Sequence, residues 1–234
     1  MPLLNEDFYI VGHRGAAGEK PENSSEGFRH ALNLDIDAIE LDIREHSSQL
    51  WVFHDAALGR VTTSTGSFHQ HPDPAALHLN NGEPIPTLSG VLDLYWGKMP
   101  VNIEIKSVTD LHLLLDLLAR YPTPGQREGH PWILISSFNH DALLQLRKLG
   151  SDWPVAPISS GIPLQGDVEL EQLEPWSWHF DDDYLDLDLV ARLRAQGVPS
   201  LVFTVNDVDR ARFLKDKGVA GIFTDYPANM LAAD

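Results

Sequence analysis

Along the chain, short apolar runs rich in β-branched residues alternate with stretches in which apolar positions recur at helical spacing. The runs read as strands at Phe8–Gly12, Ala38–Arg44 with Leu50–His54 close behind, Val101–Ile105, Trp132–Ser136, Val155–Ile158, Ser177–Phe180, Leu201–Val205 and Gly221–Phe223. The helical patterns cover Ser25–Leu34, Leu88–Tyr95, Leu111–Tyr121, His140–Leu149, a weak one near Val168–Leu173, Leu185–Gln196, Val208–Lys217 and Pro227–Ala232. Strand followed by helix, repeated about eight times, predicts an α/β fold of the TIM-type (β/α)8 barrel class. A doubly wound open sheet is the alternative that the same alternation allows. The segment Asp55–Pro86, rich in Thr, His, Asn and Pro, breaks the rhythm and reads as a small insertion after the second strand. No repeat, low-complexity tract or long linker interrupts the rest, so residues 1–234 are expected to form a single domain.

Polar residues inside the apolar strands carry the chemistry. In Ile39-Glu40-Leu41-Asp42-Ile43, strand alternation puts Glu40 and Asp42 on one face and the three aliphatic residues on the other. A half-exposed edge strand is the plainer reading of such a pair. Val101-Asn102-Ile103-Glu104-Ile105-Lys106 repeats the device on the next barrel strand, with Glu104 and Lys106 on one face. Both clusters would then lie towards the strand C-terminal ends, where barrel active sites are built. Three carboxylates brought together in a partly dry cleft repel one another, and a divalent cation resolves that conflict. Oxygen ligands from Glu40, Asp42 and Glu104 favour a hard ion, Mg²⁺ or Ca²⁺.

Two histidines sit at strand tips. His13 follows the first strand in Ile10–Phe28, a loop whose Gly12, Gly15 and Gly18 suggest a nucleotide-binding turn at first sight. The spacing departs from the dinucleotide fingerprint, and Lys20-Pro21 delays the helix that would hold a pyrophosphate. His54 closes the run Trp51-Val52-Phe53. One neutral and one protonated imidazole suit a proton relay to and from an ester oxygen, with Arg14 and Lys106 gripping phosphoryl oxygens. Use of both histidines as zinc ligands is a rival arrangement.

Composition narrows the class further. With 234 residues and 43% hydrophobic content the chain can bury one large core. A net charge of −17 argues against nucleic acid or an anionic membrane surface as partner, although a local cation can still hold a small anionic substrate. The absence of cysteine removes disulfide and thiolate chemistry. No apolar run reaches the roughly 20 residues of a membrane span, and MPLLNEDFYIV lacks a basic segment followed by a long apolar one. A cytoplasmic protein, monomeric or homodimeric, is the expectation.

In order along the chain, His13-Arg14-Gly15, Pro21-Glu22-Asn23, Glu40-Leu41-Asp42, His54-Asp55 and Glu104-Ile105-Lys106 resemble the motif set of the bacterial cytoplasmic glycerophosphodiester phosphodiesterases. The resemblance extends through Gly59-Arg60-Val61-Thr62, Ile85-Pro86-Thr87-Leu88, Phe203-Thr204-Val205-Asn206 and Gly221–Pro227. It implies a metal-dependent enzyme that hydrolyses glycerophosphodiesters such as glycerophosphocholine or glycerophosphoethanolamine to glycerol 3-phosphate and an alcohol. By the same resemblance His13 and His54 are the acid/base pair, Glu40, Asp42 and Glu104 the metal ligands, and Arg14 and Lys106 the phosphate contacts. Two positions depart from the family pattern. Ser24 stands where Thr is usual, and Phe203, a substrate-wall residue, replaces a Trp and so lacks the indole N–H. A related enzyme that forms a cyclic phosphate, or an inactive ligand-binding barrel, are the alternative functions.

Overall fold

The computed structural model describes residues 8–121, 126–127, 130–163 and 166–232. Most of the N-terminal segment used to argue against a leader therefore lies outside the described residues. The strands are β1 (Tyr9–Gly12), β2 (Ala38–His46), β3 (Gln49–Val52), β4 (Val101–Ser107), β5 (Gln126–Arg127), β6 (His130–Pro131), β7 (Ile133–Ser137), β8 (Val155–Ser159), β9 (Trp178–Asp181), β10 (Ser200–Phe203) and β11 (Gly221–Thr224). The helices are α1 (Ser25–Ala31), α2 (Leu88–Tyr95), α3 (Leu111–Leu118), α4 (His140–Lys148), α5 (Gly166–Leu173), α6 (Leu187–Ala195), α7 (Val208–Asp216) and α8 (Pro227–Leu231).

Closure decides between the two predicted architectures. The sheet runs β1-β11-β10-β9-β8-β7-β4-β2, and β1 also pairs with β2 through Val11 opposite Ala38 and Gly12 opposite Ile39. All these pairings are parallel, which makes a closed eight-stranded barrel and removes the open-sheet alternative. Alternation sorts the side chains as read from sequence. Ile10, Ile39, Leu41, Ile43, Ile103, Val202 and Ile222 pack outwards into the main core with helical Leu92, Leu114, Leu146 and Leu214. Their neighbours Val11, Leu201 and Phe223 form a separate small cluster with Ala38. Higher up, Glu40, Asp42 and Glu104 share that opposite phase.

The helices start where short polar side chains can accept from their first free N–H groups. Ser24, Thr87, Asp110, Asn139, Asp186 and Asp207 each do so. Ser24 thus replaces the usual Thr without loss of the cap. The cap at Asp186 also explains why α6 begins at Leu187 rather than at Leu185; before it, Asp181 ends β9 and Asp182–Tyr184 make one 3-10 turn.

One strand differs from its sequence reading. Leu50–His54 reads as a strand that ends on His54, yet β3 ends at Val52 and folds back antiparallel on β2 through the pair Ser47-Ser48, with φ of 52° and 56°. The hairpin lies outside the closed ring, and His54 follows it in a loop. The inserted segment is structured as well: Trp51, Phe53, Leu58, Phe68, Leu77, Leu79 and Ile85 form a core of their own.

The β1–α1 turn is confined at Gly12, where a Cβ would fall 2.1 Å from the Gly15 carbonyl oxygen. That approach aims His13 and Arg14 at the barrel mouth. Gly12→Ala is expected to lower the unfolding free energy by about 1–3 kcal/mol or more, the usual cost of overpacking, seen as a reduced urea midpoint at constant m value. An unchanged midpoint would contradict the confinement.

Candidate active site

The first loop is held by the carboxylates it covers. Arg14 adopts a left-handed conformation (φ 49°), and its N–H donates to Glu40 Oε2 at 2.8 Å. Asn23, also left-handed (φ 50°), donates its side-chain amide to Asp42 Oδ2 at 2.8 Å. Strain of this kind persists where the surroundings over-determine it, which is common at functional sites. The loop is therefore shaped around buried anions, not around a dinucleotide.

Glu40, Asp42 and Glu104 offer oxygens that lie within 4.8 Å of one another, and among the described residues they form the one such cluster of three or more potential ligands. They are 2%, 1% and 8% exposed. Burial, then the charge of Asp42, pushes the Glu104 carboxyl up to about 7. Burial, then Asp42 and Glu104, raises Glu40 well above the usual carboxylate range. Burial also opposes ionisation of Asp42, but Lys106 and Arg14 outweigh it and hold that group below its ordinary value. Lys106 Nζ lies 3.4 Å from Asp42 Oδ1 and in contact with Glu104 Oε1. Glu40 Oε1 accepts no hydrogen bond, and one ammonium, that of Lys106, faces both Asp42 Oδ1 and Glu104 Oε1. Three converging buried carboxylates with so little positive charge among them are a set that a hard divalent cation fits.

Each sequence-predicted histidine is oriented by its own carboxylate. His13 Nδ1 pairs with Asp225 Oδ1 at 2.7 Å, and Asn206 donates to Asp225 Oδ2 at 2.8 Å. This turns His13 Nε2 towards Glu40, 4.0 Å away. His54 Nδ1 pairs with Asp55 Oδ1 at 2.6 Å, and Arg60 Nε donates to Asp55 Oδ2 at 2.6 Å. Burial lowers the His54 imidazole below its ordinary value despite the opposing pull of Asp42 and Asp55. Hydrogen bonds from Arg60 and His54 overcome burial at Asp55 and bring it down to about 2.

These groups border a cleft of about 360 Å³ at the C-terminal end of the barrel. One side is charged, from β1, β2, β4 and their loops. The other carries Phe138, Ile158, Phe203 and Phe223, and the Phe138 and Phe203 rings meet edge to face with centroids 5.7 Å apart. An anionic ester with an uncharged arm suits that division. His13, Arg14, Glu40, His54, Glu104, Lys106 and Phe203 all line the cleft, and Asp42 lies buried beneath them. The sequence reading thus named residues that the fold does bring together. It assigned no role to Asp225, Asn206, Arg60 or Phe138. His179 is buried against Phe223 with Ser177 Oγ 2.9 Å from its Nε2, and it also borders the cleft. Trp178 is fully buried.

The profile of the Glycerophosphoryl diester phosphodiesterase family matches residues 13–229. The chain belongs to this family. The family is one of phosphoric diester hydrolases, and the match runs from His13 into α8. Glycerophosphodiester phosphodiesterase of Bacillus subtilis (strain 168) is 27% identical over 252 residues, covering 96% of this chain and 86% of its own. That of Bacillus altitudinis is 29% identical over 240 residues, covering 93% and 94%. A solved structure of an Oleispira antarctica phosphodiesterase in complex with the product sn-glycerol-3-phosphate superposes with a TM-score of 0.85 at 27% identity, covering 96% of each chain. Among the described residues no helix is long and apolar enough to cross a membrane.

The family site makes a pH linkage testable. In the metal-free protein Glu40 and Glu104 hold protons that the unfolded chain has lost, so stability falls as pH rises from about 4.3 through about 7. A divalent ion displaces those protons, so the rise in Tm on adding Mg²⁺ or Ca²⁺ is expected to be larger at about pH 8 than at about pH 6. Thermal melts with and without the ion check this. An equal or smaller rise at the higher pH would contradict it.

Proposed function

We propose that the protein hydrolyses small glycerophosphodiesters, such as glycerophosphocholine and glycerophosphoethanolamine, to glycerol 3-phosphate and the free alcohol, with His13 and His54 as the acid/base pair. The observation that carries this reading is the pair of imidazoles, each anchored through Nδ1 by a carboxylate, beside a buried cluster of three carboxylates. Anchoring through Nδ1 leaves Nε2 of each ring for the ester. The product seen in the Oleispira antarctica neighbour supports the same substrate class.

Glu40, Asp42 and Glu104 are the groups that would hold Mg²⁺ or Ca²⁺. When bound, such an ion supplies positive charge to the phosphoryl group. Arg14 and Lys106 hold the phosphoryl oxygens in place. His54, kept neutral by burial, accepts the proton of the attacking water, and Asp55 steadies the imidazolium that results. His13, aligned by Asp225, delivers a proton to the departing alkoxide. Phe203 and Phe138 form the wall against which the uncharged part of the substrate rests. The zinc arrangement fits less well, because among the described residues the convergent ligand set consists of carboxylates alone and neither imidazole belongs to it.

The direct test is a screen of glycerophosphodiesters with a coupled glycerol 3-phosphate assay, run with EDTA and after restoring Mg²⁺ or Ca²⁺. Loss on chelation and recovery with either ion is expected. Full activity of the stripped enzyme, or a cyclic phosphate as final product, would overturn the corresponding part of the reading. His13→Ala and His54→Ala should each lower kcat by about 10²- to 10⁴-fold. The double variant should cost far less than the product of the two effects. With a p-nitrophenyl ester, whose leaving group scarcely needs a proton, His13→Ala should regain much of its rate and His54→Ala should not; the reverse pattern would exchange the two roles.

The pH profile supplies a further check. Catalysis needs His54 neutral, so activity falls as pH drops through its pKa. Because burial lowers that pKa, the acid limb of kcat/KM for the metal-loaded enzyme should lie below about pH 6.5. A limb above the ordinary histidine value would contradict His54 as the base.

A further inference from the structure

Arg60 lies on the inserted segment, and its side chain is 49% exposed. A single exposed ion pair there would contribute little to stability. Its geometry is more specific. Nη1 and Nη2 engage both carboxylate oxygens of Glu22 at 2.5 and 2.6 Å, while Nε donates to Asp55 Oδ2 at 2.6 Å. Each of those anions turns a further contact towards the cleft: Asp55 Oδ1 to His54 Nδ1 at 2.6 Å, and Glu22 Oε1 to Arg14 Nη1 at 2.9 Å. One guanidinium therefore closes a chain His54, Asp55, Arg60, Glu22, Arg14 that joins the β3 side of the mouth to the β1 loop.

We propose that Arg60 is a positioning residue that orients His54 and Arg14 together, and that the inserted segment serves as its platform. The segment is built for the task. The Arg60 carbonyl accepts from Asn80 Nδ2 at 3.1 Å, the Val61 carbonyl accepts from Asn80 N at 2.9 Å, and Val61 packs on the core of the insertion. Gly59, at φ 99°, supplies the turn that leads into it. A planar fork with three engaged nitrogens is what the arrangement uses, and a lysine has one nitrogen to offer. Asp55 and Glu22 would otherwise be two anions at one rim, free to turn away from the groups they align.

The inference rests on the roles proposed for His54 and Arg14. Arg60→Gln is expected to lower kcat/KM by about 10- to 100-fold, the range for partners that orient a functional ligand. Both parameters should move: kcat through His54 and KM through Arg14. Arg60→Lys should recover only part of the loss, and added guanidinium ion should raise the activity of Arg60→Ala. In an Asp55→Asn background, Arg60→Gln should lower kcat no further. Kinetics of Arg60→Gln within twofold of native, no guanidinium rescue, or full additivity with Asp55→Asn would overturn the proposal. A second readout needs no turnover. The downfield Nδ1–H resonance of His54, recognised by its loss in His54→Gln, should broaden or vanish in folded Arg60→Gln. Its persistence unchanged would show that Arg60 only tethers the insertion, whatever becomes of the substrate assignment.

Discussion

Three carboxylates buried within one ion's reach of each other are the constraint on which the rest of this structure depends. Removing one such anion from water is costly, and each neighbour adds repulsion. The chain answers with positive groups placed by covalent geometry: Lys106 two residues along β4 from Glu104, and Arg14 in the turn after β1. Left-handed backbone at Arg14 and Asn23, and the glycine approach beneath them, bring N–H donors onto Glu40 and Asp42. These donors leave Glu40 Oε1 without a partner and a single ammonium to face the near oxygens of Asp42 and Glu104, which is the charge deficit that a divalent cation would fill.

The two histidines repeat one solution on opposite sides of that site. Each lies just beyond a strand, and each is fixed in tautomer and direction by an aspartate whose second oxygen has its own donor, Asn206 for Asp225 and Arg60 for Asp55. His54 and Asp55 are neighbours in the chain, but His13 meets Asp225 because β1 pairs with the last strand, β11. A barrel opened between β1 and β11 would keep every residue named here and lose the alignment of His13.

The parts legible in sequence were those governed by alternation within a single strand. Glu40 and Asp42 in β2, and Glu104 and Lys106 in β4, could be placed on common faces because strand period and chain order suffice. The metal chemistry followed from their convergence, since carboxylates need a counter-charge. Residues that act across long sequence separations were less accessible: His13 and Asp225 are 212 positions apart, and nothing local marks Asp225 as the partner. Arg60 was hidden differently, inside an insertion that composition describes only as polar loop. The direction of β3 was also beyond an alternation argument, which cannot distinguish a barrel strand from one folded back through a left-handed Ser-Ser turn.

The central claim is that the buried cluster holds one divalent ion and that Glu40, Asp42 and Glu104 are its ligands. Binding of Mn²⁺, followed by the electron paramagnetic resonance of the free ion, counts the sites directly and needs no substrate. The account predicts one tight site per chain, displaced by Mg²⁺ or Ca²⁺ and strongly weakened in Glu40→Gln, Asp42→Asn and Glu104→Gln. Undiminished Mn²⁺ binding in all three folded variants would contradict it.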